Sequence, residues 1–451
     1  MRSIFTARPA YAAGGGHHPH ARELEEISKL LETQPRAARL VHQDLTRHGL
    51  INESRGRSGM SAEQVLRAAI LRQIEGLSYR DLAFWMADST TCRTFCRFDD
   101  PDDVPARSTL HRNIKALSIS TLQMIHRLVV LGAQREGVED GKTIRVDCST
   151  VKASIHAPTD STLLWDTVRV LARLMKQARP WSDVRWTDRQ RQSKRRTVAI
   201  QHAARAEARR PLYRDLLRAT EHTLADAERV ARSLEDARRD EEPIARAVGL
   251  ARQIRHHVRL GRSVVKQTRR RIELDEAVPP ADKLVSIFEP DTDIIVKDRR
   301  ETLYGHKVRF SFGASGLVTG MRILDGNPAD STLAVDAAKQ NKQLYGKAPE
   351  SICFDGAFAS KRNLADIKAL GVQNVVFSKR RGIAIEEMTD SVQTYRKLRN
   401  FRAGAEANIS FLKRALGLAR CLWRSLSSFH SYVWLGVIAA NLLTIARALS
   451  A

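Results

Sequence analysis

A chain of 451 residues is too long for one ordinary compact domain, so two or three units with separate cores are expected. The 75 Lys and Arg residues against 51 Asp and Glu residues give a formal net charge of +24, which favours a polyanionic partner. Nucleic acid is favoured over an anionic membrane surface, because no basic amphipathic helix stands beside a lipidation signal.

The cysteines and the apolar runs predict a cytoplasmic, nucleoid-associated location. Five cysteines are too few and too scattered for a disulfide framework in a chain of this length, which favours a reducing compartment. No signal-peptide pattern opens the chain. The longest apolar run, from about Tyr432 to Ile445, is interrupted by Asn441 and is short of a membrane span, so we expect a buried helix there.

The first third of the chain predicts a disordered tail over residues 1–21 and a helical DNA-binding domain over 22–137. Candidate helices lie near 24–33, 62–75, 79–87, 108–117 and 120–135. Ser61 followed by Gln64 is a capping-box signal at the start of one of them. Arg107 and Arg112 are candidate DNA contacts, and a helical dimerisation or scaffold domain is the alternative interpretation.

Thr143 to Asp147 alternates and ends in a carboxylate, which predicts a strand. A basic helical insertion then follows over 161–279. Residues 161–275 hold 28 Lys and Arg against 15 Asp and Glu, a difference of +13. Such a segment is either a solvated helical hairpin or coiled coil, or a surface that grips DNA or forms dimers, and both descriptions can hold together.

Beyond Pro280 apolar and polar residues alternate again, which is the pattern of β-strands. A hairpin is predicted from strands at 306–313 and 317–324, followed by a helix near 331–343, a strand at 351–354, a helix near 361–369, a strand at 373–377 and helices near 395–420 and 428–450. This order predicts an α/β fold, a ribonuclease-H-like mixed sheet flanked by helices. An all-α N-terminal domain and a large helical insertion accompany this α/β core. The catalytic core would comprise 138–160 and 280–425, with 426–451 packing on it as a C-terminal helix.

Three carboxylates lie at the ends of predicted strands or on a predicted helix in that order. Asp147 ends the first strand, Asp355 follows the fourth, and Glu406 projects from the helix after the fifth. The first and fourth strands are neighbours in that fold, so the three side chains should converge. Carboxylate oxygens suit hard Mg²⁺ or Mn²⁺, and two such ions stabilise the charge that develops at a phosphodiester during cleavage or joining. We therefore take these three residues as candidate catalytic and metal-binding residues.

Basic residues near the third carboxylate are candidate DNA contacts. Arg402, Glu406 and Lys413 share one helical stripe, beside an apolar stripe that could dock on the sheet. Lys379 and Arg380 follow the predicted strand at 373–377. His306 and Lys307 could face the site or point outward, and Asp325, Asp330 and Asp366 are further acidic residues left out of the metal site.

From about Ser58 to Ala448 the chain resembles DDE transposases of bacterial insertion sequences, nearest the ISNCY group. The likeness lies in GMSAEQVLRAAILRQIEGLSYRDLA at 59–83, RVDCSTVKASIHAPTDSTLLWD at 145–166, YGHKV at 304–308, DGNPADSTL at 325–333, FDGAFASKRNL at 354–364 and EANISFLKR at 406–414. Arg402, Glu406 and Lys413 match the spacing of the third-carboxylate signature, whereas Arg399 replaces its tyrosine. The resemblance implies a transposase that binds terminal inverted repeats of double-stranded DNA, assembles a homo-oligomeric synaptic complex, frees a 3′-hydroxyl and attacks target DNA.

Two other functions stay open at this point. A transposase-derived DNA-binding regulator would bind the repeats without cutting them, although the three carboxylates argue against it. A ribonuclease-H-like nuclease of repair or recombination would share the active site but not the partner.

Overall fold

The computed structural model describes residues 3–6, 18–49, 59–236, 244–297 and 301–450. The chain forms two compact units, Met1–Lys152 together with His306–Ala451, and Ala153–Gly305. The predicted insertion at 161–279 falls inside the second unit. Most of the predicted tail at 1–21 lies outside the described residues, although the first helix already begins at Pro19.

The N-terminal part of the first unit is helical. Its helices are α1 (Pro19–Glu32), α2 (Pro35–Arg47), α3 (Ala62–Ile74), α4 (Tyr79–Asp88), α5 (Thr90–Phe95), α6 (Arg107–Lys115) and α7 (Ile119–Arg135). The five helices expected from the sequence are present, whereas α2 and α5 were not predicted. The capping box at α3 is confirmed, since Ser61 Oγ accepts from Gln64 N at 3.1 Å and Gln64 Oε1 accepts from Ser61 N at 2.8 Å.

After these helices the chain enters the sheet, leaves it for the second unit and returns. The remaining elements are β1 (Thr143–Lys152), α8 (Asp160–Ala178), α9 (Gln190–His202), α10 (Ala206–Asp236), α11 (Ile244–Ile272), β2 (Asp293–Lys297), β3 (Glu301–Phe312), β4 (Val318–Ile323), α12 (Ala334–Tyr345), β5 (Ser351–Phe354), α13 (Lys361–Ala369), β6 (Asn374–Phe377), α14 (Ile385–Met388), α15 (Val392–Arg414) and α16 (Leu426–Ser450).

The sheet of the first unit is mixed and has the order β4-β3-β1-β5-β6. Strands β3 and β4 form the predicted antiparallel hairpin, while β1, β5 and β6 are parallel. The predicted adjacency of the first strand and the strand before Asp355 is therefore observed. The expected end of β1 at Asp147 is wrong: the strand continues to Lys152, whose carbonyl accepts from Cys421 N at 2.8 Å.

Two apolar clusters hold the first unit together. One joins the N-terminal helices to the β3–β4 hairpin, α15 and α16, and includes Ile70, Phe310 and Val437. The other joins β1, β5 and β6 to the surrounding helices and includes Phe354 and Phe377. The N-terminal helices therefore share a core with the sheet in one compact unit.

Helix α16 corresponds to the buried C-terminal helix expected from the sequence. By length and composition it could cross a membrane. In the structure it packs against α1, α3 and α7, and its central residues, including Leu435, Ile438 and Leu442, are buried. Such burial is typical of the core helix of a globular protein.

The second unit has an apolar core of its own, built from α8, α9, α10 and α11. Leu171, Leu216, Ile254 and Val264 lie in that core. At its end, β2 pairs antiparallel with the first residues of β3, from Glu301 to Gly305. The sequence predicted a solvated helical hairpin or coiled coil here, and the structure has four packed helices.

Candidate active site

Two of the three candidate carboxylates follow the last paired residues of neighbouring parallel strands. In the register of β1 and β5, Val146 lies opposite Phe354. Asp147 and Asp355 come next on the two strands. Because parallel strands rise by the same distance per residue, this register places both carboxylates at the same level of the sheet.

Helix α15 brings the third carboxylate and an arginine to the same place. Arg402 Nη2 lies 2.7 Å from Asp147 Oδ2 and 3.7 Å from Asp355 Oδ1, and Arg402 Nη1 lies 3.5 Å from Glu406 Oε1. One guanidinium therefore contacts all three acidic side chains that the sequence singled out. Arg402 is only 13% exposed, whereas Glu406 is 77% exposed and lies at the open side of the cluster.

The two strand carboxylates differ in their surroundings. Burial raises the pKa of Asp147, and the nearby Arg402 and the Cys148 backbone amide offset this rise only in part. Burial also acts on Asp355, but the Ser378 hydroxyl, two backbone amides and Arg402 outweigh it and lower the pKa of this carboxyl. Ser378 Oγ donates to Asp355 Oδ1 at 2.9 Å. The sequence analysis did not predict a role for Ser378. Its position directly after the strand at 373–377 was the feature that could have indicated one.

A glycine lets α15 lie close to the sheet beneath the carboxylates. A Cβ built on Gly404 would lie 2.1 Å from Arg145 Nη1 of β1. Arg145 in turn donates from Nη1 to the Phe401 carbonyl at 3.0 Å and stacks its guanidinium 4.6 Å from the centre of the Phe401 ring. These contacts fix the turn of α15 that carries Arg402, and the apolar stripe predicted on this helix is buried at Ala405 and Leu412.

A second ion pair lies beside the carboxylates. Lys307 Nζ is 2.7 Å from Asp330 Oδ1 and donates to the Pro328 carbonyl at 2.7 Å. Asp330 is close enough to Asp147 to contribute to the raised pKa of that group. Lys307 therefore points toward the site, whereas the neighbouring His306 is buried against the Phe429 ring, with ring centres 4.6 Å apart.

The other predicted DNA contacts lie at several places on the first unit. Lys379 and Arg380 are exposed directly after β6, next to Ser378. Lys413 is half-buried on α15. Arg107 and Arg112 are exposed on α6 and form no ion pair within the described part of the chain. Their contacts with DNA stay predictions, as does that of Arg402.

The carboxylates are arranged around a cationic side chain. Within the described ranges, no group of three or more His, Cys, Asp or Glu side chains is arranged to hold a metal ion. The donor set nevertheless consists of hard carboxylate oxygens, the ligands that Mg²⁺ and Mn²⁺ prefer. Their common contact with Arg402 shows that the three groups already converge on one positive charge. The donor chemistry of these residues fits divalent cations, while the space between the carboxylates is taken by the Arg402 guanidinium.

Two family models match the chain. Residues 297–442 match the transposase DDE domain, and residues 16–116 match a transposase domain known as DUF772. The first match ends in α16 and includes Asp355 and Glu406, while the second covers the N-terminal helices through α6. Searches of curated proteins and of solved structures gave no significant match. The two matches support a DDE-family transposase.

Proposed function

We propose that this chain is a DNA transposase that binds the terminal inverted repeats of a mobile element, cleaves DNA strands and joins them to target DNA. The observation that carries the proposal is the contact of one guanidinium with Asp147, Asp355 and Glu406, three carboxylates drawn from two strands and a helix. A ribonuclease-H-like core accounts for the strand order and for this convergence. The ISNCY group is the proposed position within the family.

The residues of the site have distinct roles in this proposal. Asp147, Asp355 and Glu406 would hold two Mg²⁺ or Mn²⁺ ions. When bound, these ions supply Lewis-acid stabilisation of the attacking and leaving oxygens at the scissile phosphate. The Ser378 hydroxyl keeps Asp355 ionised and oriented. Lys379 and Arg380, which are exposed, would bind the phosphates of the strand that enters the site.

The net charge of +24 supports a double-stranded DNA partner, and assembly of two ends in one complex requires a homo-oligomer. All five cysteines are free thiols, which supports the proposed cytoplasmic location. A regulator that only binds DNA would need none of the carboxylate geometry. The convergence of three carboxylates on one point therefore favours an enzyme over such a regulator.

The test is strand cleavage by the full chain on a labelled duplex taken from the DNA that flanks its gene, with Mg²⁺ or Mn²⁺. Asp355→Asn should reduce cleavage by at least about a hundredfold, since loss of a metal ligand removes several kcal/mol of transition-state stabilisation. Asp366→Asn is the matched control, because this residue is half-exposed on α13 and, among the described residues, pairs only with Arg362 of its own helix. Undiminished cleavage by Asp355→Asn would overturn the proposal.

A further inference from the structure

Helix α11 of the second unit has an unusual charge composition. Over the 29 residues Ile244–Ile272 it has nine Lys and Arg residues and no Asp or Glu. A solvated helix normally mixes both signs on its outer face, because such pairs stabilise it. The positive charge of α11 must therefore be balanced by other elements or by a partner.

One side of α11 is balanced by α10 through a regular ladder of ion pairs. Arg255 Nη2 lies 2.5 Å from Glu235 Oε2, Arg262 pairs with Glu228, and Arg269 Nη2 lies 2.6 Å from Glu221 Oε1. Both series advance by seven residues in opposite directions, which is the pattern of antiparallel helices packed as a coiled coil. The three arginines on this side are already neutralised.

On the outer side of α11, Arg270 pairs with Glu276, but three other cations are not balanced. Arg252, Arg259 and Lys266 also recur every seven residues, and all three are exposed. They form no ion pair with any residue in the described ranges, although Arg259 Nη2 approaches His256 Nδ1 at 3.4 Å. At 1.5 Å per residue, the three cations span about 21 Å, the length of roughly six base pairs of duplex DNA.

We propose that the α11 basic face, defined by Arg252, Arg259 and Lys266, binds the phosphate backbone of duplex DNA without reading its sequence. This inference rests on the proposed transposase function and assigns a DNA-binding surface to the second unit. A membrane surface is the less suitable polyanion, because residues 245–272 of α11 expose no large hydrophobic side chain that could enter a bilayer. Backbone contacts of this kind would position an end or target DNA while base recognition takes place elsewhere.

The test compares two triple variants of α11 that remove the same number of charges. Arg252→Gln, Arg259→Gln and Lys266→Gln together neutralise the α11 basic face, and Arg255→Gln, Arg262→Gln and Arg269→Gln together remove the ladder cations as a control. Binding to a fluorescein-labelled duplex of arbitrary sequence, about 40 base pairs or nearly four helical turns long, is measured by anisotropy over a range of salt concentrations.

The variant that lacks the α11 basic face should bind the duplex at least about tenfold more weakly than the wild type. The slope of log affinity against log salt should become less steep by about 2 to 3, because each lost phosphate contact reduces its magnitude by about 0.9. The ladder variant should keep its affinity within about twofold and its salt slope unchanged. Arg252→Lys with Arg259→Lys should retain binding, because backbone contact needs charge alone. Circular dichroism checks that each variant is folded.

Equal affinity of the wild type and the face variant would overturn the inference, as would equal weakening in both triple variants. Loss of binding to phosphatidylserine vesicles with unchanged DNA binding would also overturn it, in favour of a membrane surface. The proposed function fails by a different result, undiminished cleavage by Asp355→Asn. That variant should still bind the duplex as the wild type does.

Discussion

Arg402 Nη2 lies 2.7 Å from Asp147 Oδ2, although 255 residues separate the two in the chain. The arginine is 13% exposed and also reaches Asp355 and Glu406. It therefore acts as the internal counter-ion of the acidic cluster. Bound divalent cations would have to compete with it for the same oxygens.

Replacing Arg402 by Gln should therefore strengthen metal binding while it weakens the metal-free protein. Removal of the counter-ion leaves partly buried carboxylates uncompensated, at a cost of about 2 kcal/mol in the free energy of unfolding. Titration calorimetry with Mn²⁺ should show tighter binding than in the wild type, and Mn²⁺ should raise the melting temperature more. An Asp147→Asn, Arg402→Gln double variant is the control and should lose this gain. Equal Mn²⁺ affinity in the wild type and Arg402→Gln would contradict the counter-ion role.

Gly356, directly after Asp355, should not tolerate a side chain. A Cβ at this position would lie 2.5 Å from Lys379 Cβ, an atom one bond from the backbone, so only a backbone shift could relieve the clash. Gly356→Ala should reduce strand cleavage by about tenfold or more, because small displacements of catalytic groups are costly. Gly249→Ala in α11 is the control: nothing lies within 4 Å of its Cβ position, and alanine favours the helix by up to about 1 kcal/mol. Normal cleavage by Gly356→Ala would show that the turn after Asp355 adapts freely.

Lys307 and Asp330 should be coupled energetically. The side chains are 13% and 23% exposed, and Lys307 also binds the Pro328 carbonyl, so Lys307→Met leaves an acid and a carbonyl without their cation. Each of Lys307→Met and Asp330→Asn should lower the free energy of unfolding by about 1 to 2 kcal/mol, and the double variant should cost about 1 kcal/mol less than their sum. Urea denaturation of the four proteins measures this. Strict additivity would mean that the ion pair contributes nothing to this part of the fold.

His126 should make the first unit sensitive to acid. It is buried on α7, its Nε2 donates to the Val318 carbonyl at 2.7 Å, and burial lowers its pKa to about 4. Between about pH 6.5 and pH 4 the unfolded chain binds a proton that the folded chain does not, so stability falls as the pH falls through this window. The full loss is about 3 kcal/mol, from a difference of about 2.5 pH units. Thermal unfolding at several pH values should show a smaller acid-dependent loss in His126→Gln than in the wild type. Identical pH profiles would exclude His126 as the cause.

Much of the local structure is encoded in short segments. The strand at 351–354 and the helix at 361–369 are observed at their predicted bounds, because a continuous apolar run and a capped amphipathic segment each specify one conformation. Strand β1 was cut short in the prediction because Cys148 to Lys152 is partly polar. Its extension depends on tertiary pairing, including the hydrogen bond between Cys421 and Lys152.

The sequence by itself determined the strong positive charge and the helical nature of the second unit. It also determined which three carboxylates to single out, from the order of the predicted strands and helices. Only the tertiary structure decided how these groups are paired. Arg402 could be placed on the helical stripe of Glu406, but its contact with Asp147 depends on the register of β1 and β5 and on the close approach of α15 at Gly404. Likewise, the arginines of α11 look alike in sequence, and it is the packing of α10 that neutralises Arg255, Arg262 and Arg269. The reason is physical: periodicity reports which face of an element is buried, whereas ion pairs depend on the distances between side chains that only the assembled fold brings together.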